Sequence, residues 1–138
     1  MRLTDTVEVL RRHRISPSAQ RVAIADYVLA TTSHPTADEV FSEVRREFPM
    51  VSRATVYNAL NLFAEKGLLR RYLLNGGRLV FDANVVPHHH FIDDHTGEIH
   101  DVAWEQVSVS NVEALEGYDV TEYQVIMRGR RTARNQKP

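Results

Sequence analysis

A series of capped helix starts that runs into a hairpin turn constrains this sequence most. Ser16-Pro17, Thr36-Ala37-Asp38-Glu39 and Ser52 each place a hydroxyl where it can cap the first turn of a helix, and the second start is a capping box. Apolar residues follow each start at helical spacing, and a further amphipathic helix precedes them. We therefore expect helices as far as Gly67, which ends the last of them.

A basic hairpin follows these helices. Residues 68–74 alternate apolar side chains with arginines, Asn75-Gly76-Gly77 is a hairpin turn signal, and residues 78–81 form the returning strand. Three helices followed by a basic hairpin predict a winged helix-turn-helix. In that fold the third helix enters the major groove and the wing lies on the adjacent backbone.

The helix after Ser52 has a face suited to double-stranded DNA. Its inward positions are apolar, whereas Asn58 and Asn61 point outward and can bond adenine edges. An ordinary surface helix with two asparagines would look the same, and the hairpin tips the balance toward DNA. The candidate DNA contacts are Arg53, Thr55, Tyr57, Asn58, Asn61, Arg70, Arg71 and Arg78.

Charge is distributed unevenly along the 138 residues. Residues 1–82 carry a net charge of +3, residues 83–127 have no Lys or Arg and nine acidic residues, and residues 128–138 carry +5. This pattern suggests contact with a polyanion in the first part and with cations in the second. Two solvated surfaces of different composition would explain the charges equally well. The chain has no apolar run of membrane-spanning length, so we expect a cytoplasmic protein without a membrane segment.

The chain contains no cysteine, which limits its metal chemistry to imidazole and carboxylate ligands. The triple histidine His88-His89-His90 is therefore the place where a first-row metal would bind. Strand alternation puts His88 and His90 on one face and His89 on the other. A turn at residues 94–97 would set His90 opposite Asp101, so that two imidazoles and a carboxylate converge. The alternative is a histidine-rich exposed hairpin without function.

The rest of the second half predicts a small sheet. We expect a short helix at residues 107–115, ended by Gly117, and a third strand where Tyr123 to Met127 alternate. Such a sheet leaves edges exposed, so we expect pairing with a second copy into a homodimer.

The expected fold class is α+β, with an N-terminal winged helix-turn-helix and a small α/β dimerisation domain. We expect a DNA-binding domain at 1–82, a hinge at 83–87, a dimerisation and metal-sensing domain at 88–128, and a disordered basic tail at 129–138.

Five segments in this order and spacing resemble the ferric uptake regulator superfamily. They are the run 34–40, the run 52–60, Phe81-Asp82, the His88-x-His90 pair and Gly97-x-Ile99-x-Asp101. The resemblance covers nearly the whole chain. It implies a metal-dependent transcriptional regulator, a repressor by expectation, in which a regulatory metal lies between the two domains. The implied metal ligands are His34, Asp82, His88, His90 and Asp101.

The residue at position 82 carries information about the subtype. Iron-responsive members resemble one another in having Glu there, whereas peroxide-sensing repressors have Asp, and this chain has Asp82. The resemblance implies that bound Fe(II) reacts with hydrogen peroxide and that oxygen is added to His34 or His88. Mn(II) would fill the site without that chemistry, and Zn(II) could take its place.

The chain also departs from the family pattern. Where many members carry the first cysteine pair of a four-Cys zinc site, it has Asp93 and Thr96, so we expect no such structural zinc. A further site of some members is incomplete, since Pro87, His89 and Tyr123 stand at its ligand positions. The triple histidine also resembles the iron response regulators, in which that cluster is implicated in haem binding. His89 is therefore a candidate haem or second-site ligand.

Three alternatives remain. The first is a haem- or iron-responsive regulator of the same superfamily that does not sense peroxide. The second is a small non-haem oxygenase or metallohydrolase, but no general base beyond the ligands is evident, so we do not expect an enzyme. The third is a metal-buffering protein without DNA binding.

Overall fold

The computed structural model describes residues 3–74 and 76–132 and divides into two compact units, Met1–Val85 and Val86–Pro138. The division falls within the segment 83–87. The fold is α+β, as predicted. Within the described residues, no helix combines the length and apolarity needed to cross a bilayer.

The first unit is a bundle of helices followed by a two-stranded wing. Its elements are α1 (Leu3–Arg12), α2 (Ala19–Ala30), α3 (Ala37–Val44), α4 (Arg53–Glu65), β1 (Arg70–Leu74) and β2 (Arg78–Asp82). The strands β1 and β2 pair antiparallel, with Leu74 opposite Arg78. The predicted winged helix-turn-helix is confirmed.

The start of α2 differs from the prediction. Ser18, not Ser16, is the N-cap, and its side chain accepts a hydrogen bond from the backbone N–H of Arg21. The physical reason lies in how α1 ends, because Arg14 takes a left-handed conformation with φ 61° and the N–H of Ile15 bonds back to Leu10. Ile15 is then buried, and the chain reaches Ser18 before it can turn into a helix.

The starts of α3 and α4 are confirmed. Thr36 and Glu39 form the predicted capping box, and the Ser52 side chain accepts from the backbone N–H of Thr55. Gly67, at φ 83°, follows the end of α4, and the N–H of Leu68 bonds back to Phe63. The predicted inward face of α4 lies fully in the core of this unit, at Val56, Ala59, Leu60 and Phe63.

The second unit is a three-stranded sheet of β3 (His88–Asp93), β4 (Ile99–Ala103) and β5 (Ile126–Gly129), in the order β4-β3-β5. The central strand β3 pairs antiparallel with β4 and parallel with β5. A single 3-10 turn, Trp104–Gln106, follows β4. The predicted third strand exists, but it begins three residues later than expected.

The helix predicted at 107–115 is not formed. Residues 107–110 have no regular structure, and Asn111 takes φ 68°. Two isolated turns follow, closed by the N–H of Ala114 on Asn111 and the N–H of Tyr118 on Leu115. Ser108, Ser110 and Asn111 are weak helix formers, and Leu115 is 51% exposed, so little burial within the unit compensates for them. Of the predicted disordered tail, Gly129 belongs to β5 and residues 133–138 lie outside the described residues.

Candidate metal and DNA-binding sites

Two of the predicted metal ligands meet in the first unit. His34 Nε2 lies 3.1 Å from Asp82 Oδ2, and both side chains are buried. Asp82 is the last residue of β2, and its second oxygen accepts from the backbone N–H of Asn84. A buried imidazole and a buried carboxylate facing each other make a suitable pair of ligands for a divalent cation.

The backbone fixes His34 in an uncommon conformation. Its φ is 54°, in the left-handed region that few residues other than glycine adopt. The next residue, Pro35, accepts a hydrogen bond from the N–H of Phe81 at 2.9 Å, which ties this turn to β2 beside Asp82. Backbone strain of this kind persists where surrounding contacts hold it, and here it aims the imidazole at the carboxylate.

The other three predicted ligands meet in the second unit, on one face of the β3–β4 pair. His90 stands directly opposite Asp101 in the antiparallel register, as predicted. His88 Nε2 lies 3.1 Å from His90 Nε2, and Asp101 Oδ1 lies 3.3 Å and 3.6 Å from these two atoms. Atoms that each bind one ion at about 2.1 Å are themselves roughly 3.0–3.4 Å apart. The three side chains are therefore spaced like neighbouring ligands of a single metal.

Hydrogen bonds orient both imidazoles toward that point. His88 Nδ1 lies 2.6 Å from the carbonyl oxygen of Val86, and His90 Nδ1 lies 2.7 Å from Oε1 of Gln124. An oxygen acceptor at Nδ1 places the proton there and leaves the Nε2 lone pair available to a metal. The chemistry of the donors thus fits a first-row divalent ion.

His89 points to the opposite face of β3, as strand alternation predicts. It is fully buried, and its ring stacks on that of Trp104 with centroids 4.4 Å apart. The backbone N–H of Val125 donates to Nδ1, so the neutral ring carries its proton on Nε2. Nε2 is buried and has no hydrogen-bond partner among the residues that the structure describes.

The predicted DNA contacts on α4 are distributed over its outward side. Arg53, Tyr57 and Asn58 are exposed, and Thr55 and Asn61 are half-buried. Arg53 pairs with Asp38, and the Tyr57 hydroxyl donates to the same carboxylate at 2.9 Å. This bond raises the pKa of Tyr57, so the hydroxyl keeps its proton.

The wing lies beside α4. Arg71 donates to the side chain of Asn61 at 3.0 Å, which joins β1 to α4, the predicted recognition helix. Arg78 on β2 reaches both oxygens of Glu39, at 3.0 Å and 3.1 Å. Burial would raise the pKa of Glu39, but hydrogen bonds from Thr36 and Arg78 outweigh it and hold the pKa below its usual value. The guanidinium of Arg70 lies over the Tyr72 ring.

Asp93 organises the β3–β4 turn. Its carboxylate accepts from the N–H groups of His95 and Thr96, at 2.8 Å and 3.2 Å. Burial would raise the pKa of Asp93, yet these bonds, with one from the backbone of Arg131, lower it below its usual value. A carboxylate with backbone donors therefore fixes the turn.

Sequence reasoning missed the residues that orient the ligands. Gln124 comes 34 positions after His90, and nothing local in its own segment marks it. Val86 contributes only a backbone oxygen, which no side-chain pattern reveals. Trp104 is the only tryptophan of the chain, and that rarity was the one available signal.

Comparison with known proteins identifies the family of this chain. The model of the ferric uptake regulator family matches residues 13–128. The peroxide-responsive repressor PerR of Staphylococcus aureus is 30% identical over 129 residues, which is 92% of this chain and 87% of that protein. The chain belongs to the ferric uptake regulator family, whose members are transcriptional regulators, and it is not an enzyme.

Solved structures share the fold. The ferric uptake regulator of Pseudomonas aeruginosa, solved with manganese, has a TM-score of 0.68 and 24% identity, covering 90% of this chain and 96% of that one. PerR from Streptococcus pyogenes has a TM-score of 0.53 and 28% identity, and the match covers 93% of this chain and 89% of that one.

Proposed function

We propose that this chain is a homodimeric, metal-dependent repressor of transcription that acts in the cytoplasm and senses peroxide through Fe(II). The observation that carries the proposal is the pair of ligand groups, His34 with Asp82 in one unit and His88, His90 and Asp101 in the other. One ion bound by all five residues would connect the DNA-binding unit to the sheet. An ion that binds only this arrangement would shift the dimer toward the spacing of recognition helices that fits two operator half-sites.

Peroxide sensing is supported by Asp82 and by the similarity to PerR. Fe(II), when bound, would supply the electrons that reduce hydrogen peroxide beside the histidines. His34 and His88 are the expected acceptors of an oxygen atom. An oxidised imidazole is a poorer ligand, so the metal would dissociate and no longer connect the two units. DNA would then be released. Mn(II), or Zn(II) in its place, would hold the same residues without this reaction.

Mass spectrometry of peroxide-treated protein tests this proposal. The protein is loaded anaerobically with Fe(II) or Mn(II), treated with hydrogen peroxide and digested with trypsin. His34 lies in the peptide 22–45 and His88 in the peptide 79–128, which also contains Met127, so fragmentation must locate the oxygen. After peroxide treatment, we expect one added oxygen at His34 or His88 in the Fe(II)-loaded protein and none in the Mn(II)-loaded protein. Oxidation confined to methionine would refute peroxide sensing and leave a metal-dependent regulator.

DNA binding is tested by selecting duplexes from a random pool with metal-loaded protein. Arg53→Ala and Asn58→Ala should weaken binding to the selected duplex, whereas Arg12→Ala, at the end of α1, should not. A metal-buffering protein would select no duplex.

A haem-responsive regulator is the second candidate, supported by the resemblance of the triple histidine, although the proton on the buried Nε2 of His89 opposes ligation in this conformation. To hold haem, His89 would have to leave the Trp104 stack and give up its hydrogen bond from Val125. A Soret band that is lost in His89→Ala but kept in His95→Ala would support haem binding. The absence of a Soret band with the wild-type protein would refute haem binding.

A further inference from the structure

One carboxylate in the first turn of α3 holds two of the predicted DNA-contacting side chains. Asp38 Oδ1 accepts from Arg53 Nη1 and, at 2.9 Å, from the Tyr57 hydroxyl. Arg53 and Tyr57 are four residues apart on α4, so their side chains lie side by side on one face. A single oxygen therefore sets the positions of both groups.

A second contact restrains the guanidinium of Arg53. Its carbon lies 4.8 Å from the centre of the Phe41 ring, which is one turn beyond Asp38 on α3. A flexible arginine is thus held from two sides by residues of one helix. Since Asp38 uses only Nη1, the remaining N–H groups are not engaged by that carboxylate.

This contact is exchangeable rather than permanent. The side chains of Arg53 and Asp38 are 60% and 62% exposed, so water and salt screen the ion pair. On a DNA duplex, a phosphate would compete with Asp38 for the same guanidinium. A free arginine would go to the nearest phosphate, which is present in every sequence, whereas a restrained one keeps its orientation toward base edges.

We propose that Asp38 is a positioning residue that sets DNA specificity, because it restrains Arg53 and Tyr57 for contacts with bases and disfavours their capture by phosphate. This inference rests on the proposed DNA binding. Through Asp38, α3 would contribute to base recognition although it lies outside the predicted recognition helix α4.

The test compares two duplexes and a matched control. One duplex is selected from a random pool by the metal-loaded wild-type protein, and the other is a scrambled duplex of equal length and composition. Glu43→Gln is the control for Asp38→Asn, because it removes one negative charge from the same helix, where Glu43 pairs only weakly with Arg46 at 3.7 Å.

Asp38→Asn should move the two affinities in opposite directions. Binding to the selected duplex should weaken about ten-fold, the discrimination that one good base contact supplies. Binding to the scrambled duplex should strengthen about two- to five-fold, as expected when an exposed ion pair no longer competes. Its salt dependence should steepen by about one released counterion. Glu43→Gln should change both duplexes alike.

A double-mutant cycle locates the effect. In the Arg53→Gln background, Asp38→Asn should lose most of its effect on the selected duplex, and only the part exerted through Tyr57 should remain. Thermal unfolding of each variant controls for folding.

Several outcomes overturn the inference. Equal strengthening on both duplexes is a plain charge effect, equal weakening is damage to the fold, and a shift no larger than that of Glu43→Gln means that Asp38 has no role. A wild-type protein that enriches no duplex refutes the proposed function itself, and the role of Asp38 with it.

Discussion

At the scale of single residues, the orientation of the ligands matters as much as their identity. His88 and His90 present Nε2 to Asp101 because their Nδ1 atoms are hydrogen-bonded to oxygen atoms of Val86 and Gln124. Partners of this kind fix the tautomer and the ring direction, so we expect them to contribute to the affinity of the proposed site for a metal without contacting the ion.

Removing the partner of His90 should therefore weaken metal binding. We expect Gln124→Ala to lower the affinity for Mn(II) or Co(II) about ten-fold, because the His90 ring loses its fixed tautomer. Isothermal titration measures the affinity, and the visible spectrum of the Co(II) form reports the ligand geometry. Gln124→Glu, which keeps an oxygen acceptor, should retain binding, and Thr121→Ala on the same segment should be neutral. Unchanged affinity in Gln124→Ala would remove this role.

Asp93 should make the stability of the protein depend on pH. A carboxyl whose pKa is lowered by folding stabilises the protein above its unfolded-state pKa, about 3.9, and this contribution is lost as the pH falls through the folded-state value. The gap in unfolding free energy between wild type and Asp93→Asn should be constant above about pH 5 and shrink below about pH 4. Denaturant titrations at several pH values measure it, with exposed Asp94→Asn as the control. A gap that grows on acidification would contradict this assignment.

At the scale of elements, local capping determines where the helices of the first unit begin and end. Thr36 and Ser52 cap α3 and α4, and Gly67 closes α4 in the left-handed conformation. These signals need only neighbouring residues. The segment 107–115 shows the converse, since its pattern suggested a helix that little burial within its own unit supports.

The left-handed conformation of Gly67 predicts a measurable cost of substitution. No atom lies within 4 Å of an added Cβ, so the penalty of Gly67→Ala comes from the backbone alone and should be about 1–2 kcal/mol of unfolding free energy. Gly67→Asn should cost less, because asparagine tolerates this conformation better. Gly129→Ala, where φ is not positive, serves as the control. Equal stability of Gly67→Ala and wild type would show that the end of α4 rearranges.

At the scale of the whole molecule, the second unit leaves many apolar side chains exposed for a chain that acts alone. Leu115 is 51% exposed and Tyr118 75% exposed, and the sheet has only three strands. A second copy that covers this segment would complete the small core. Because the chain has no cysteine, we expect such a dimer to be held by packing rather than by a four-Cys zinc site.

A dimer held by packing should form whether or not metal is bound. We expect sedimentation analysis to find a dimer with or without a chelator. Leu115→Asp should weaken the dimer at least ten-fold, because it buries a charge in the interface. Leu73→Asp, at an exposed position on the wing, should leave assembly unchanged. A dimer that dissociates when the metal is removed would contradict this expectation.

The sequence alone determined the features that depend on neighbours along the chain. Hydroxyl caps predicted α3 and α4, and a turn counted from Gly97 placed His90 opposite Asp101, because strand register and alternation follow from a few adjacent residues. Only the tertiary structure decided that Ser18 starts α2, that Gln124 orients His90 and that Asp38 restrains Arg53. The last two depend on which distant segment folds alongside, and the first depends on how α1 ends and buries Ile15, and a linear pattern carries neither kind of information.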